Sequence, residues 1–255
     1  MIAPVFRKKW NGVPIVTKEE LDAIGERLVQ DFCPKALVEP QPVDIDRFVT
    51  AYLGLRLDYQ YLSHCGVYLG MTVFNDTDRV PVYCPQTQRA EYISAKAGTV
   101  IIDSTLLNGK YEGRYRFTMG HEGSHGFLHH EFFGHNPNQL SLFQPDGAPM
   151  IQCRVDSQRE KGKPPTMWND RDRMEWQANR LSSAILMPVS VVRSVVSEHP
   201  RQQIVEGDLP SYYTGKLANL LKVSYDAAFY RLKDLGLIPK TAYINKGAAD
   251  YFQFI

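Results

Sequence analysis

Two histidines four positions apart, with a glutamate directly after the first, form His121-Glu122-Gly123-Ser124-His125, an HExxH pattern. On a helix, residues four apart lie one turn above each other on the same face, so two imidazoles at this spacing can share a cation. Glu122 points to the adjoining edge of that face. From there its carboxylate can reach a water held by a metal without being a ligand itself, which is what a hydrolytic general base requires. The competing reading is a polar helix face with two histidines present for unrelated reasons. Phe117, Phe127 and Leu128 weigh against it, because they make the helix partly core and buried imidazoles need partners.

Catalytic zinc takes three protein ligands and keeps one position for water, so a third donor must come from elsewhere. The best source is Met174-Glu175-Trp176-Gln177-Ala178-Asn179, where an acidic residue sits in an otherwise apolar helix. Glu175 is the expected ligand of a single Zn2+. Asn179, one turn later on the same face, is expected to hydrogen-bond a ligand imidazole and fix its tautomer. The alternative for Glu175 is a surface carboxylate paired with Arg171 or Arg173, which its neighbours Trp176 and Ala178 disfavour. Hydrolysis also needs a donor for the tetrahedral oxyanion, and Tyr111, Tyr115, His129 and His130 are the candidates. Cys153 is read as an inert, partly buried cysteine, the alternative being a thiolate that fills the open metal position.

These residues need elements to hold them. Thr17-Lys18-Glu19-Glu20 has capping-box spacing, and Leu21, Ile24, Leu28 and Phe32 then recur at helical intervals as far as Pro34. Ile45, Phe48, Val49 and Leu53 mark a second short helix, ended at Gly54. Between Leu55 and about Leu107, GVYLGMTVF, RVPVYCP and TVIIDSTLL read as short strands separated by turn residues. A helix follows from about Arg114 to His130. The stretch 134–169 is longer than an ordinary connection and is either a functional loop or carries a hairpin such as MIQCRV. Asn169 or Asp170 caps the next helix, whose buried stripe is Met174, Ala178, Leu181 and Ile185. A helical pair closes the pattern, turning at Lys222-Val223-Ser224. The glycines at 120, 123 and 126 cost about 1 kcal/mol each relative to Ala and suggest close approach of a strand or of substrate backbone along that face.

The chain has 255 residues, 44% hydrophobic and 22% charged, with a net charge of +1, enough for a sizeable core and without the bias of a disordered chain. Its charge gives no global reason to expect nucleic acid or an anionic membrane as partner. Arg7, Lys8 and Lys9 interrupt what would be a secretory signal, and no apolar run approaches a membrane span, so a cytoplasmic location is expected. Cys33, Cys65, Cys84 and Cys153 are widely separated and are read as reduced thiols. Lys216, Lys222, Arg231 and Lys233 in the terminal pair are offset by Asp226 and Asp234, which makes direct nucleic-acid binding an unfavoured assignment.

The sequence resembles the ImmA/IrrE metallo-endopeptidases. Arg116 to His125 is similar to that family's RFTxAHExGH helix, preceded by Ile101-Ile102-Asp103. Glu175 to Asn179, continuing through Ala184 to Pro188, is similar to its ExxAN and AxxLMP segments. Pro42 to Ile45 and the stretch from Val223 to Ile238 resemble its flanking pieces, so the likeness covers most of Leu21 to Ile238. Gly120 and Ser124 depart from the usual Ala and Gly. The resemblance implies an α+β fold, a mainly helical zincin-like core with a small, mostly antiparallel sheet and a C-terminal helix-turn-helix-like pair. Expected boundaries are an N-terminal extension over 1–16, a zinc metallopeptidase domain over 17–200, the helical pair over 201–240 and a tail over 241–255. It further implies a zinc-dependent endopeptidase that cleaves a helix-turn-helix repressor of a mobile element or stress regulon. The alternative is a metal-bearing protein that binds a repressor or toxin without cutting it.

Overall fold

The computed structural model describes residues 5–134, 150–154, 164–197, 209–239 and 241–242. Its architecture is α+β. A two-stranded ribbon, β1 (Arg7–Lys8) with β2 (Pro14–Ile15), comes first. Helix α1 (Lys18–Phe32) follows, and its capping box forms as the Thr17 and Glu20 spacing predicts, each side chain bonding the other residue's backbone N–H. After the short α2 (Lys35–Val38), α3 (Ile45–Arg47) runs on into a π-helical turn over Phe48–Tyr52. Gly54 lies just beyond, at φ 73°, the left-handed conformation expected of a residue that ends a helix.

The four-stranded sheet has the order β3 (Arg56–Gln60), β7 (Thr99–Asp103), β4 (Tyr68–Val73), β8 (Met150–Arg154). β3 and β7 run parallel, and the other pairings are antiparallel. Met150–Arg154, the described part of MIQCRV, therefore lies at the edge of this sheet and pairs with β4. A separate antiparallel hairpin, β5 (Thr77–Cys84) and β6 (Arg89–Ala95), covers one face. The two-residue period of a strand sorts side chains between two cores. Met71, Val73 and Ile101 pack with Val80 and Val82 of β5, whereas Val100 and Ile102 join the main core. Gly70 and Thr72, paired in register with Ile102 and Val100, share that second face.

Helix α4 (Glu112–Leu128) crosses this face, followed by α5 (His130–Phe133). Helix α6 (Asp170–Leu186), begun by a capping box between Asn169 and Asp172, packs on α4 and, on its far side, on α1. Then come α7 (Val189–Val196), α8 (Leu209–Leu221) and α9 (Tyr225–Asp234), whose residues Tyr213, Leu217, Leu221, Phe229 and Leu232 enter the same main core. The glycines of α4 are sites of close approach, but the neighbours are side chains. A Cβ at 120, 123 or 126 would come within 2.7 Å of Ser182, Val49 or Leu55.

Asp22 of α1 joins the helices. It pairs with Arg180 of α6 and, at 2.7 Å, with Arg231 of α9, whose Nε–H also donates to the Met187 carbonyl at 3.0 Å. Arg180 reaches Asp234 at 2.7 Å as well. Arg231, one of the basic residues of the terminal pair, is thus spent inside the fold. Replacing Asp22 by Ala leaves two buried guanidiniums short of a counter-ion, and urea unfolding should show a loss of roughly 3–5 kcal/mol. A loss under about 1 kcal/mol, the scale of a surface pair, would contradict this role.

Candidate metal centre

The sheet and α6 enclose α4, so the HExxH turn is buried almost all round. His121, Glu122 and His125 have no exposed surface. His121 and His125 stack one turn apart with ring centroids 4.6 Å apart, and their Nε2 atoms lie 3.0 Å from each other. Across the helix interface Glu175 turns both carboxylate oxygens to this pair, Oε2 at 3.4 Å from His121 Nε2 and Oε1 at 3.4 Å from His125 Nε2. One donor atom from each residue falls within 4.8 Å of the others, a group that could hold a metal ion. The ionic neighbours of Glu175 are therefore imidazoles.

Burial opposes ionisation of Glu175, yet the facing His125 and His121 outweigh it and hold its carboxyl well below the usual carboxylate range. Burial pushes His125 below the ordinary histidine value against the pull of the Glu175 carboxylate. Burial thus favours the neutral form of His125 while Glu175 favours its anionic form. Asn179, one turn beyond Glu175, sets its amide oxygen 3.0 Å from His121 Nδ1. An amide oxygen accepts only, so the ring proton sits on Nδ1 and Nε2 presents its lone pair to the centre. Glu175 Oε2 is buried and makes no hydrogen bond among the described residues. Lone pairs converging in this way repel one another unless a cation lies between them, and two imidazoles plus a carboxylate suit a divalent ion of zinc's type.

The Glu122 carboxylate lies against the sheet. The Thr72 hydroxyl donates to its Oε2 at 2.5 Å and lies 3.0 Å from its backbone oxygen. Gly70, on the same strand face, leaves room for the carboxylate, since a Cβ there would stand 2.7 Å from Glu122 Oε1 and 2.8 Å from Thr118 Cγ2. Neither residue was singled out from sequence. A glycine inside the strand-like run GVYLGMTVF is the signal that could have found this close approach.

The four oxyanion candidates are dispersed. Tyr111 caps the start of α4, ten residues before His121 and so about 15 Å away along the axis. Tyr115 donates its hydroxyl to Asp46 at 2.7 Å and meets Tyr59 at 2.9 Å, and burial together with these bonds raises its pKa. His130 is largely exposed, 3.9 Å from Glu131. His129 is fully buried, with Nδ1 2.9 Å from His125 Nδ1 and Nε2 2.9 Å from Gln177 Oε1. Burial, reinforced by His125, pushes its pKa well below the ordinary value. The strand register sets Cys153 opposite Gly70, and its side chain lies outside the described residues.

An HExxH helix and a glutamate helix thus meet on a small sheet. Residues 160–233 match the model of the peptidase M78 family, the IrrE N-terminal-like domain, consistent with the ImmA/IrrE family and in support of a metallopeptidase-type function. The match takes in the Glu175 helix and stops short of His121. No curated protein matches the chain.

Exchanging Gly70 for Ala should force the Glu122 carboxylate or the strand to shift, at a cost of about 1–3 kcal/mol of overpacking readable in denaturant unfolding. An alanine variant as stable as the parent would show that the strand does not press on Glu122.

Proposed function

We propose that the chain is a zinc-dependent endopeptidase in which His121, His125 and Glu175 hold one Zn2+ and Glu122 is the general base. The observation that carries this reading is the convergence of two lone-pair-bearing Nε2 atoms and a carboxylate, with a second carboxylate one residue from the first ring. When bound, such an ion supplies Lewis acidity toward a peptide carbonyl and acidifies a water. Glu122 would act as the general base, holding the proton of an attacking water and passing it to the leaving amine. Thr72 holds the carboxylate by one oxygen, which restricts its rotation. Asn179 keeps His121 in the tautomer that offers Nε2. Glu175, with a side chain 22% exposed, is the more open side of the centre.

The substrate we propose is a helix-turn-helix repressor, acted on in the cytoplasm so that cleavage releases transcription. Support for it comes from the family likeness, over Arg116 to His125 as well as over the matched segment.

Metal analysis and cleavage assays on three proteins test the reading, with a helix-turn-helix repressor encoded beside the gene as substrate. Glu122→Gln should keep stoichiometric zinc and lose roughly 10²- to 10⁴-fold in cleavage rate. Glu175→Ala should lose the metal. A Glu122→Gln protein as active as wild type would remove the mechanism, and repressor released by wild type without fragments would favour the binding protein over the protease.

A further inference from the structure

A ligand histidine coordinates through one ring nitrogen, so the other must carry the proton, and something must hold it there. For His121 that partner is Asn179. For His125 it is another histidine, and a ring nitrogen of His129 could in principle donate or accept. The contacts beyond His129 remove the ambiguity. The side-chain amide of Gln177 donates through Nε2 to the carbonyl of Pro14 at 2.7 Å. A backbone carbonyl accepts only, which fixes the amide so that Gln177 Oε1 faces His129 Nε2 at 2.9 Å. An amide oxygen also accepts only, so the His129 proton is on Nε2 and its Nδ1 is a bare acceptor. At 2.9 Å from that acceptor, His125 must carry its proton on Nδ1, and its Nε2 is left as a lone pair facing Glu175.

We infer that His129 and Gln177 are positioning residues that lock His125 in its metal-binding tautomer, with the Pro14 carbonyl of the N-terminal ribbon as the fixed end of the relay. The inference rests on the metal reading above. His129, a candidate oxyanion donor from sequence, has both ring nitrogens engaged in this chain and acts through His125. The ribbon is well placed to serve as an anchor. Lys9 pairs with Asp170 at the start of α6, Asn11 donates to the same carboxylate at 2.7 Å, and Lys8 pairs with Glu131 of α5. It is thereby tied to the start of the Glu175 helix and to the segment that follows the histidine helix. Pro14 itself is buried and Gln177 is 3% exposed, so water does not compete for the bonds between them.

Histidine ¹⁵N spectra of metal-free protein, together with zinc affinity from competition with a chromophoric chelator, test this in wild type, His129→Phe and Gln177→Leu. Wild-type His125 should show a protonated Nδ1 and a bare Nε2. In both variants that signature should give way to a mixture of tautomers, and zinc affinity should fall by roughly 10- to 100-fold. Gln177→Leu keeps His129 in place, so the relay is still tested if His129→Phe fails to fold. A wild-type spectrum with the His125 proton on Nε2, or two variants that hold zinc as tightly as wild type, would overturn the inference. Wild-type protein that takes up no zinc would sink the metal reading instead, and the metal-free spectra would then decide the relay by themselves.

Discussion

Two imidazole nitrogens 3.0 Å apart, each 3.4 Å from an oxygen of one carboxylate, are a costly thing to build inside a protein. Each group gives up water, and none donates well to the others. The helix–helix contact must therefore be stable enough to hold these groups together. Close packing is part of the answer: the glycines of α4 let Ser182, Val49 and Leu55 approach within van der Waals range, which offsets their weak helix propensity. Charge supplies another part, since Asp22 gathers Arg180 and Arg231 behind the helix that carries Glu175.

The sheet contributes a different constraint. Strand alternation puts Gly70 and Thr72 of β4 toward α4, so the same strand makes room for the Glu122 carboxylate and binds it. Burying one wall of the site in the main core makes the position of Glu122 a property of the fold. In the same way each donor nitrogen is oriented by a residue outside the triad, Asn179 for one ring and His129 for the other. The roles of the two carboxylates follow from their surroundings: Glu175 faces imidazoles, whereas Glu122 faces a hydroxyl.

Local signals carried much of this in the sequence. The capping box at Thr17, a cap at Asn169 or Asp170, the left-handed stop at Gly54 and the i, i+4 spacing of the histidines depend on a few consecutive residues; each is present, with Asn169 as the cap. An acidic residue in an otherwise apolar helix pointed to Glu175, the carboxylate that meets the rings. Contacts between distant segments were not legible. Thr72 and Gly70 are ordinary strand residues until α4 lies across them, and Met150–Arg154 looks like half of a hairpin until β4 is seen to pair with it. Gln177 and Pro14, 163 positions apart, carry no mark of their contact. Arg231 reads as a surface charge on a helix and proves to be fully buried on Asp22.

The proposed function depends on one divalent ion held among two rings and a carboxylate. X-ray absorption at the zinc edge of the metal-loaded protein measures that directly. A four-coordinate shell is expected, with two imidazole nitrogens at about 2.0–2.1 Å and oxygen donors completing it. A shell containing sulfur, or an all-oxygen shell without imidazole scattering, would place the metal away from His121, His125 and Glu175.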